Sequence, residues 1–459
     1  MRNPSNDGSS SPDAASTIAA MERALPADRI REAAESRQTR LVELTRALVA
    51  HRSENPKLLA GEQAQDVAAA AERACQDLLE RELAALGMEI DRFDALPGRP
   101  DLVGTLRGAG GGRSLILNGH IDVVPAGDHG AWPHPPFGGE LEGGRLWGRG
   151  TCDMKGGIAC GVVALELLAD LGVELKGDLI FQSVVDEETG GPGTRAALAR
   201  GHVADAAIVL EPTAGEIVTV EGGLEWLRIV VRGQTGHSAA RYRSIHAGGQ
   251  GSAVSAIEKA LKLLGAIGEL ERHWGNTKVH PLMPRGITTI NPGVIAGGSG
   301  GGRDGMPNGM LAYSNFSDYC ALGLSLKYLP NERGEDVKAE LEQFVARFAA
   351  TDPWLREHPP EIEWGVSGVS FPPSEVASGH PLVETCAGAF RQLVGEPRLG
   401  GFEAVSDLAW LAEAGVPAVL YGPGDVAQAH SSAEYVDVAE LVDVCGVVAL
   451  AVASWCGSR

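Results

Sequence analysis

The chain has 459 residues, of which 44% are hydrophobic and 22% charged, and Asp plus Glu outnumber Lys plus Arg by 60 to 39. This balance is typical of a globular protein of about two to four domains, and it excludes both a disulfide-stapled miniprotein and a largely disordered chain. The net charge of −21 repels phosphate backbones and anionic lipid surfaces, so we expect neither nucleic acid nor membrane as a partner.

The cysteines and the first residues bear on where the protein works. Seven cysteines are scattered along the chain without a Cys-x-x-Cys pair, which favours reduced thiols over a disulfide framework or a thiolate zinc site. Residues 1–28 lack the apolar stretch of a signal peptide. We therefore expect a loose tail over residues 1–28 and a cytoplasmic protein.

Helical and strand-like patterns alternate after this tail. Apolar residues recur at helical spacing over 29–49 and 65–86. The patterns that follow are a strand over 115–117, a helix over 154–171, a strand over 179–185, a helix over 194–199 and a strand over 206–210. A strand over 418–421 and a helix over 438–455 resume the same rhythm. It predicts an α/β fold with a largely parallel sheet and helices on both faces.

The pattern changes in the middle of the chain. The predicted order there is strand 227–231, helix 253–264, strand 288–295, strand 321–328, helix 334–348 and strand 362–366, with a flexible glycine-rich hairpin at 297–302. This β-α-β-β-α-β order is that of a small ferredoxin-like sandwich. We therefore predict that a ferredoxin-like domain, residues 223–372, is inserted into a larger domain formed by residues 29–222 and 373–459.

Five segments place a histidine or an acidic residue directly after an apolar run or at a turn. They are SLILNGHIDVVPAGD (114–128), GRGTCDMKGG (148–157), VVDEETGGPGT (184–194), IVLEPT (208–213) and DVAQAHSSAEY (425–435). The carboxyl ends of parallel strands converge on one edge of a sheet, where ligand sites usually form. The side chains expected to meet there are His120, Asp153, Glu187, Glu188 and Glu211.

Each candidate also has an ordinary structural interpretation. His120 could bond to a backbone carbonyl, Asp153 could cap the following helix, and the other acids and His430 could be loop or surface residues. Two adjacent carboxylates in one cleft repel, however, and a divalent cation would neutralise them. Ligands drawn from His, Asp and Glu suit zinc, cobalt or manganese. One aspartate shared by two ions would let five ligands hold a metal pair.

The motifs NGHIDVVP, GRGTCDMKGG and DEETGG, followed by LEP and a late AH, together resemble a family of metal-dependent peptidases and deacylases. That family includes acetylornithine deacetylase, succinyl-diaminopimelate desuccinylase, aminoacylase and glutamate carboxypeptidase. The resemblance covers nearly the whole chain beyond the tail. It implies that His120 and Glu211 hold one divalent ion, that Glu188 and His430 hold a second, and that Asp153 bridges the two.

The resemblance also implies catalytic roles. Glu187 would be the general base that takes a proton from a metal-activated water and returns it to the leaving amine. Asp122 would fix the orientation of the His120 imidazole with its carboxylate. His237, in the segment GQTGHSA, would reach the active site of a partner subunit and stabilise the oxyanion. The insert would then be a dimerisation and lid domain of a homodimer.

Lys327 departs from the family pattern. Many relatives have an arginine at this place in a later strand of the insert, whereas this chain reads LSLKYLP. Lysine lacks the bidentate fork with which arginine grips a carboxylate. Lys327 is therefore a candidate substrate-binding residue, with a solvated strand position as the alternative, and recognition of a free α-carboxylate stays open.

The predicted protein is a metallo-amidohydrolase with two divalent ions, zinc in preference to cobalt or manganese. It would cleave the C–N bond of a small N-acylated amino acid or amine. Glu211 in the LEP motif favours a deacylase or carboxypeptidase over an aminopeptidase. The alternatives are a dipeptidase or carboxypeptidase acting on small peptides, a hydrolase of an aromatic or formylated amine, and a metal-binding scaffold without turnover.

Overall fold

The computed structural model describes residues 26–245, 251, 253–301, 306–309 and 313–458. Most of the predicted tail therefore lies outside the described residues. Its last two positions belong to the first helix, which begins at Ala27.

The described helices and strands are numbered in chain order. The helices are α1 (Ala27–Ser36), α2 (Gln38–Ala50), α3 (Glu62–Ala85), α4 (Lys155–Asp170), α5 (Pro192–Ala199), α6 (Arg241–Ile245), α7 (Ala256–Thr277), α8 (Gly334–Thr351), α9 (Pro353–Glu357), α10 (Pro381–Leu393), α11 (Leu408–Glu413) and α12 (Val438–Cys456). The strands of the first half are β1 (Glu89–Leu96), β2 (Arg99–Leu106), β3 (Leu115–His120), β4 (Glu140–Glu142), β5 (Arg145–Trp147), β6 (Leu179–Val184), β7 (Ala207–Val209), β8 (Glu216–Glu221) and β9 (Gly223–Arg232). The strands of the second half are β10 (Thr289–Gly301), β11 (Pro307–Gly309), β12 (Tyr319–Tyr328), β13 (Glu361–Trp364), β14 (Ser370–Phe371), β15 (Ser374–Glu375), β16 (Arg398–Phe402), β17 (Ala418–Leu420) and β18 (Tyr435–Asp437).

The larger sheet has the strand order β1-β2-β6-β3-β7-β17-β8-β15, with β16 paired to β8. Its four central strands, β6, β3, β7 and β17, are parallel. The flanking pairs β1–β2, β2–β6, β17–β8 and β8–β15 are antiparallel. The predicted largely parallel sheet is thus corrected to a mixed one. Strands β1 and β2 are antiparallel because only Pro97 and Gly98 join them, and so short a turn cannot lead into a parallel strand.

The helices of this domain form two sets. One set packs together and comprises α1, α2, α4, α10 and α12, and the other comprises α3, α5 and α11. Helix α12 is long and apolar enough to cross a membrane, with a mean hydropathy of 1.9, and it is the one such helix among the described residues. Because 72% of that stretch is buried inside the protein, α12 has the character of a core helix.

The insert forms a second, antiparallel sheet of order β11-β10-β12-β9-β13, with β14 beside β9. Its main elements follow the predicted β-α-β-β-α-β order along the chain. Alternate residues of β9 and β12 pack against α7 and α8 in one hydrophobic cluster around Trp274. The chain leaves the first sheet at Gly222 and returns between Phe371 and Ser374.

The predicted glycine-rich hairpin at 297–302 is confirmed in its described part, where β10 and the next described strand, β11, are antiparallel neighbours; its flexibility stays a prediction. Residues up to Gly301 continue β10, which pairs with both β12 and β11. The glycines permit this close pairing: a Cβ added at Gly298 would lie 2.4 Å from the carbonyl oxygen of Gly309.

Helix α4 runs unusually close to the end of β7. A Cβ added at Gly157 would lie 2.0 Å from the carbonyl oxygen of Leu210. This approach brings the start of α4, which follows Asp153, up to the strand end that carries Glu211. Glycine at position 157 therefore links the packing of the fold to the placement of both acids.

Gly157→Ala should lower the free energy of unfolding by about 1–3 kcal/mol, because the added methyl group overpacks the helix against the strand end. Gly388→Ala is the matched control in α10, where nothing lies within 4 Å of the added Cβ. It should raise the free energy of unfolding by about 0.5–1 kcal/mol through helix propensity. Urea denaturation measures both, and equal stability of Gly157→Ala and the parent would contradict the close approach.

Candidate metal centre

The predicted ligands lie along one edge of the larger sheet. His120 is the last residue of β3, and Glu211 follows β7 by two positions. Glu188 comes shortly after β6, and these three strands are parallel neighbours. Asp153 precedes α4, and His430 lies in the loop before β18. Strand ends and two loops therefore converge where the sequence predicted.

Two groups of side chains share Asp153. In the first, His120 Nε2 lies 3.2 Å from Asp153 Oδ1 and 3.3 Å from Glu211 Oε1. In the second, His430 Nε2 lies 3.3 Å from Asp153 Oδ2 and 3.1 Å from Glu188 Oε2. Within each group the potential ligand atoms lie within 4.8 Å of one another. The five predicted metal ligands are thus brought together, with one oxygen of Asp153 facing each group.

The charge balance of these groups fits two divalent cations. Burial raises the pKa of Glu211 to about 7 and also raises that of Glu188. The hydrogen bond between His430 and Asp153 raises the pKa of His430 to about 10. Without a cation the cluster would therefore hold extra protons. Glu188 Oε1 is buried and has no hydrogen-bond partner within the part of the chain that the structure describes. Oxygen and imidazole donors around surplus negative charge are the ligands that zinc, cobalt and manganese accept.

Glu187 stands beside the two groups without joining either. Its Oε2 lies 3.8 Å from His120 Nε2, and only 7% of the residue is exposed. Burial raises the pKa of its carboxyl group well above the usual range, although the nearby imidazole opposes this. The carboxyl group of Glu187 belongs to neither ligand group but lies beside both. It is therefore placed to exchange protons with a reacting water.

The carboxylate of Asp122 does not orient His120 in the way predicted. His120 Nδ1 lies 2.9 Å from the main-chain carbonyl oxygen of Asp122, whereas the carboxylate is 3.8 Å away. The carboxylate instead accepts the main-chain N–H groups of Glu187 at 3.2 Å and Glu188 at 3.3 Å. The corrected role is twofold: the carbonyl group fixes the imidazole, and the carboxylate holds the turn that carries both glutamates.

A buried polar network under this turn was missed in the sequence. Asn55 Nδ2 donates to Asp122 Oδ2 at 2.7 Å and to Asp186 Oδ1 at 3.1 Å. Asp186 has a left-handed backbone (φ 69°) and pairs with Arg99, which also grips Glu72 with two hydrogen bonds of 2.7 Å. No local pattern signals these residues, because each contact joins distant segments of the chain.

Two more buried acids were missed. Glu434 accepts main-chain N–H groups from the turn that ends at Asp153. A signal for it was present, since it lies in the segment already singled out for His430. Asp407 accepts the hydroxyl of Thr194 at 2.8 Å, and burial raises its pKa to about 7.

His237 and Lys327 lie in the insert and outside both groups. His237 is exposed before the short helix Ser238–Ala240, where its Nδ1 accepts the main-chain N–H of Ala239 at 3.1 Å. Lys327 is on β12, and burial lowers its pKa while Glu403 and Glu221 oppose the shift. Their proposed roles in catalysis and substrate binding stay predictions.

Comparison with known proteins agrees with the motifs. Residues 116–454 match the model of Peptidase family M20/M25/M40. The chain is 40% identical over 386 residues to N-formyl-4-amino-5-aminomethyl-2-methylpyrimidine deformylase of Bacillus subtilis (strain 168), covering 82% of this chain and 87% of that protein. It is 31% identical over 387 residues to acetylornithine deacetylase of Myxococcus xanthus, covering 82% and 90% of the two chains.

Solved structures share the fold at lower identity. The aminopeptidase PepT of Bacillus cereus has a TM-score of 0.67 at 22% identity, and the match covers 90% of this chain and 98% of that one. Human carnosine dipeptidase 1 has a TM-score of 0.66 at 15% identity, covering 94% and 99%. The resemblance inferred from the motifs is confirmed, and the chain belongs to Peptidase family M20/M25/M40.

Proposed function

We propose that the protein is an amidohydrolase that removes the formyl group from a small N-formylated aromatic amine of the aminopyrimidine type. The observation that carries hydrolysis is the free carboxyl group of Glu187, 3.8 Å from His120 and next to two complete ligand groups. The formylated substrate class is supported by 40% identity to the Bacillus subtilis deformylase over most of both chains. A metal-binding scaffold without turnover would not need a carboxyl group such as that of Glu187, which belongs to neither ligand group.

The residues present can divide the reaction between them. His120, Asp153 and Glu211 would hold one divalent ion and Asp153, Glu188 and His430 the other, and such a pair supplies Lewis acidity toward the amide carbonyl. Glu187 accepts a proton from the water that attacks the carbonyl carbon. It then delivers that proton to the amine nitrogen as the C–N bond breaks, so that formate and the free amine leave.

Lys327 is consistent with a substrate that has no free α-carboxylate. We propose that it contacts the substrate as a single donor, because a lysine cannot form the two parallel hydrogen bonds by which arginine fixes a carboxylate. Burial lowers the pKa of Lys327, and the nearby acids Glu403 and Glu221 oppose this shift. This environment suits a neutral formyl amide better than an anionic amino acid.

We propose that the insert pairs two copies of the chain, which form a homodimer. The support is the exposure of His237 and the lack of any contact between it and the metal-ligand groups within the described part of one chain. In a dimer His237 would donate to the oxyanion in the partner's site. Zinc as the metal and the cytoplasm as the location are also proposed, the latter because all seven cysteines are buried and free.

The full-length protein should hydrolyse N-formyl-4-amino-5-aminomethyl-2-methylpyrimidine with a kcat/KM at least about tenfold above that for N-acetylornithine or a dipeptide, a difference of about 1.4 kcal/mol in transition-state binding. A chelator should abolish the rate, and zinc, cobalt or manganese should restore it. Chromatographic quantification of the amine product measures each of the three reactions. Preference for the dipeptide would contradict the proposed substrate class.

Glu187→Gln should lower kcat by about 10²- to 10⁴-fold while both ions stay bound, because it removes the base and spares the ligands. Glu188→Ala should lower metal content as well as rate. Measuring the metal content of each variant together with its rate of formate release separates loss of the base from loss of a metal ligand. Loss of metal from Glu187→Gln would show that this residue is a ligand.

His237→Ala should keep its metals and lose most of its activity. Mixed dimers of His237→Ala with Glu187→Gln should regain activity, since one of their two sites combines an intact His237 with an intact Glu187. Activity of the separated heterodimer is the measurement. An inactive heterodimer would exclude action across subunits.

A further inference from the structure

Glu434 joins two loops that carry metal ligands. It lies four residues after His430 and is fully buried. Its Oε1 accepts main-chain N–H groups from Gly150 at 2.8 Å, Cys152 at 3.1 Å and Asp153 at 3.2 Å. The Glu434 carboxylate therefore holds the turn that ends at Asp153, the residue shared by both metal-ligand groups. Glu434 itself lies in the loop that carries His430.

The other oxygen of this carboxylate is also fixed. Glu434 Oε2 pairs with the guanidinium group of Arg149, which lies over the ring of Trp132 at 5.0 Å from its centre. The main-chain N–H of Arg149 donates to the carbonyl oxygen of Pro136 at 2.7 Å. The carbonyl oxygen of Glu434 itself accepts the N–H of Gly148 at 3.0 Å. Both ends of the residue thus bind the same turn.

The two metal-ligand groups differ in how firmly their histidines are held. His120 ends a buried strand and is 1% exposed. The side chain of His430 is 54% exposed, and its backbone has a left-handed φ of 60° in a loop. The place of His430 relative to Asp153 is therefore determined by loop contacts, among which Glu434 supplies three side-chain hydrogen bonds and an ion pair.

We propose that Glu434 is a positioning residue for the second metal group, where it sets the distance between His430 and Asp153 and thereby the affinity for the second ion. The first ion depends on it much less, because His120 and Glu211 stand on neighbouring strand ends. The inference rests on the proposed function only in requiring that the chain binds two ions. Its test reads metal binding directly, without a substrate.

Glu434→Gln should weaken binding of the second ion by about 10- to 100-fold and leave the first unchanged. The NH2 of the glutamine amide must face either Arg149 or the three main-chain N–H groups, all of which are donors, so one set of these hydrogen bonds is lost. The metal-free, full-length chain is titrated with Zn²⁺ by calorimetry and with Co²⁺ by visible absorption. Both experiments should resolve two binding steps in the parent protein.

Two variants calibrate this result. His430→Ala defines the loss of the second ion, since its exposed side chain leaves no core cavity. Glu271→Gln removes a half-buried carboxylate in the insert, whose Oε1 also accepts a main-chain N–H, that of Ile290 at 2.8 Å. Both ions should bind to Glu271→Gln as they do to the parent. Equal weakening of both steps by Glu434→Gln, or no change in either, would overturn the proposal.

Arg149→Lys provides a second route if Glu434→Gln does not fold. It keeps a positive charge beside the carboxylate but removes the planar fork that fixes it. The second binding step should weaken selectively, by about threefold to tenfold. An unchanged second step in this variant would contradict the inference, whereas a parent chain that bound no metal would instead contradict the proposed function.

Discussion

Repulsion between buried carboxylates is the constraint around which this protein is organised. Four acids, Asp153, Glu187, Glu188 and Glu211, lie together at one edge of the larger sheet. Desolvation and the repulsion between neighbouring carboxylates disfavour the ionised form of each acid. Bound protons or cations must therefore balance the negative charge. The two histidines divide this cluster into two ligand groups and leave a single carboxyl group for proton transfer. The same buried negative charge that would bind the metal ions therefore also opposes folding of the metal-free chain.

The ligand residues are held in place against this repulsion by a common arrangement, in which a carboxylate accepts main-chain N–H groups of a ligand-bearing turn. Asp122 does this for the turn with Glu187 and Glu188, and Glu434 does it for the turn with Asp153. Asp122 is in turn fixed by Asn55 from a distant segment, and Glu434 is fixed by the guanidinium group of Arg149, which adjoins the turn that Glu434 holds. These hydrogen bonds orient the ligand residues through their main-chain N–H groups. They therefore leave the side-chain oxygens of the ligand residues available to a metal ion.

What the sequence predicted well depends on local periodicity and on strand ends. The positions of His120 and Glu211 followed from apolar runs that end in a polar residue, and the order of the insert followed from its alternating patterns. Contacts between distant segments were not predictable in this way. The bridge from Asn55 to Asp122 joins residues 67 positions apart, and no single stretch of sequence encodes it. The antiparallel pairs β2–β6 and β8–β15 were missed for the same reason, whereas the β1–β2 hairpin is a local feature.

The entry and exit of the inserted domain lie side by side. Strand β8 pairs with β15 just outside the insert, and β9 pairs with β14 just inside it. Removing everything from Gly223 to Phe371 would therefore leave two hydrogen-bonded neighbours that a tight turn could reconnect. A module attached in this manner can be exchanged during evolution without disturbing the strands that carry the ligands. The insert is thus attached as a separable module, and the strands that carry the metal-ligand groups are continuous without it.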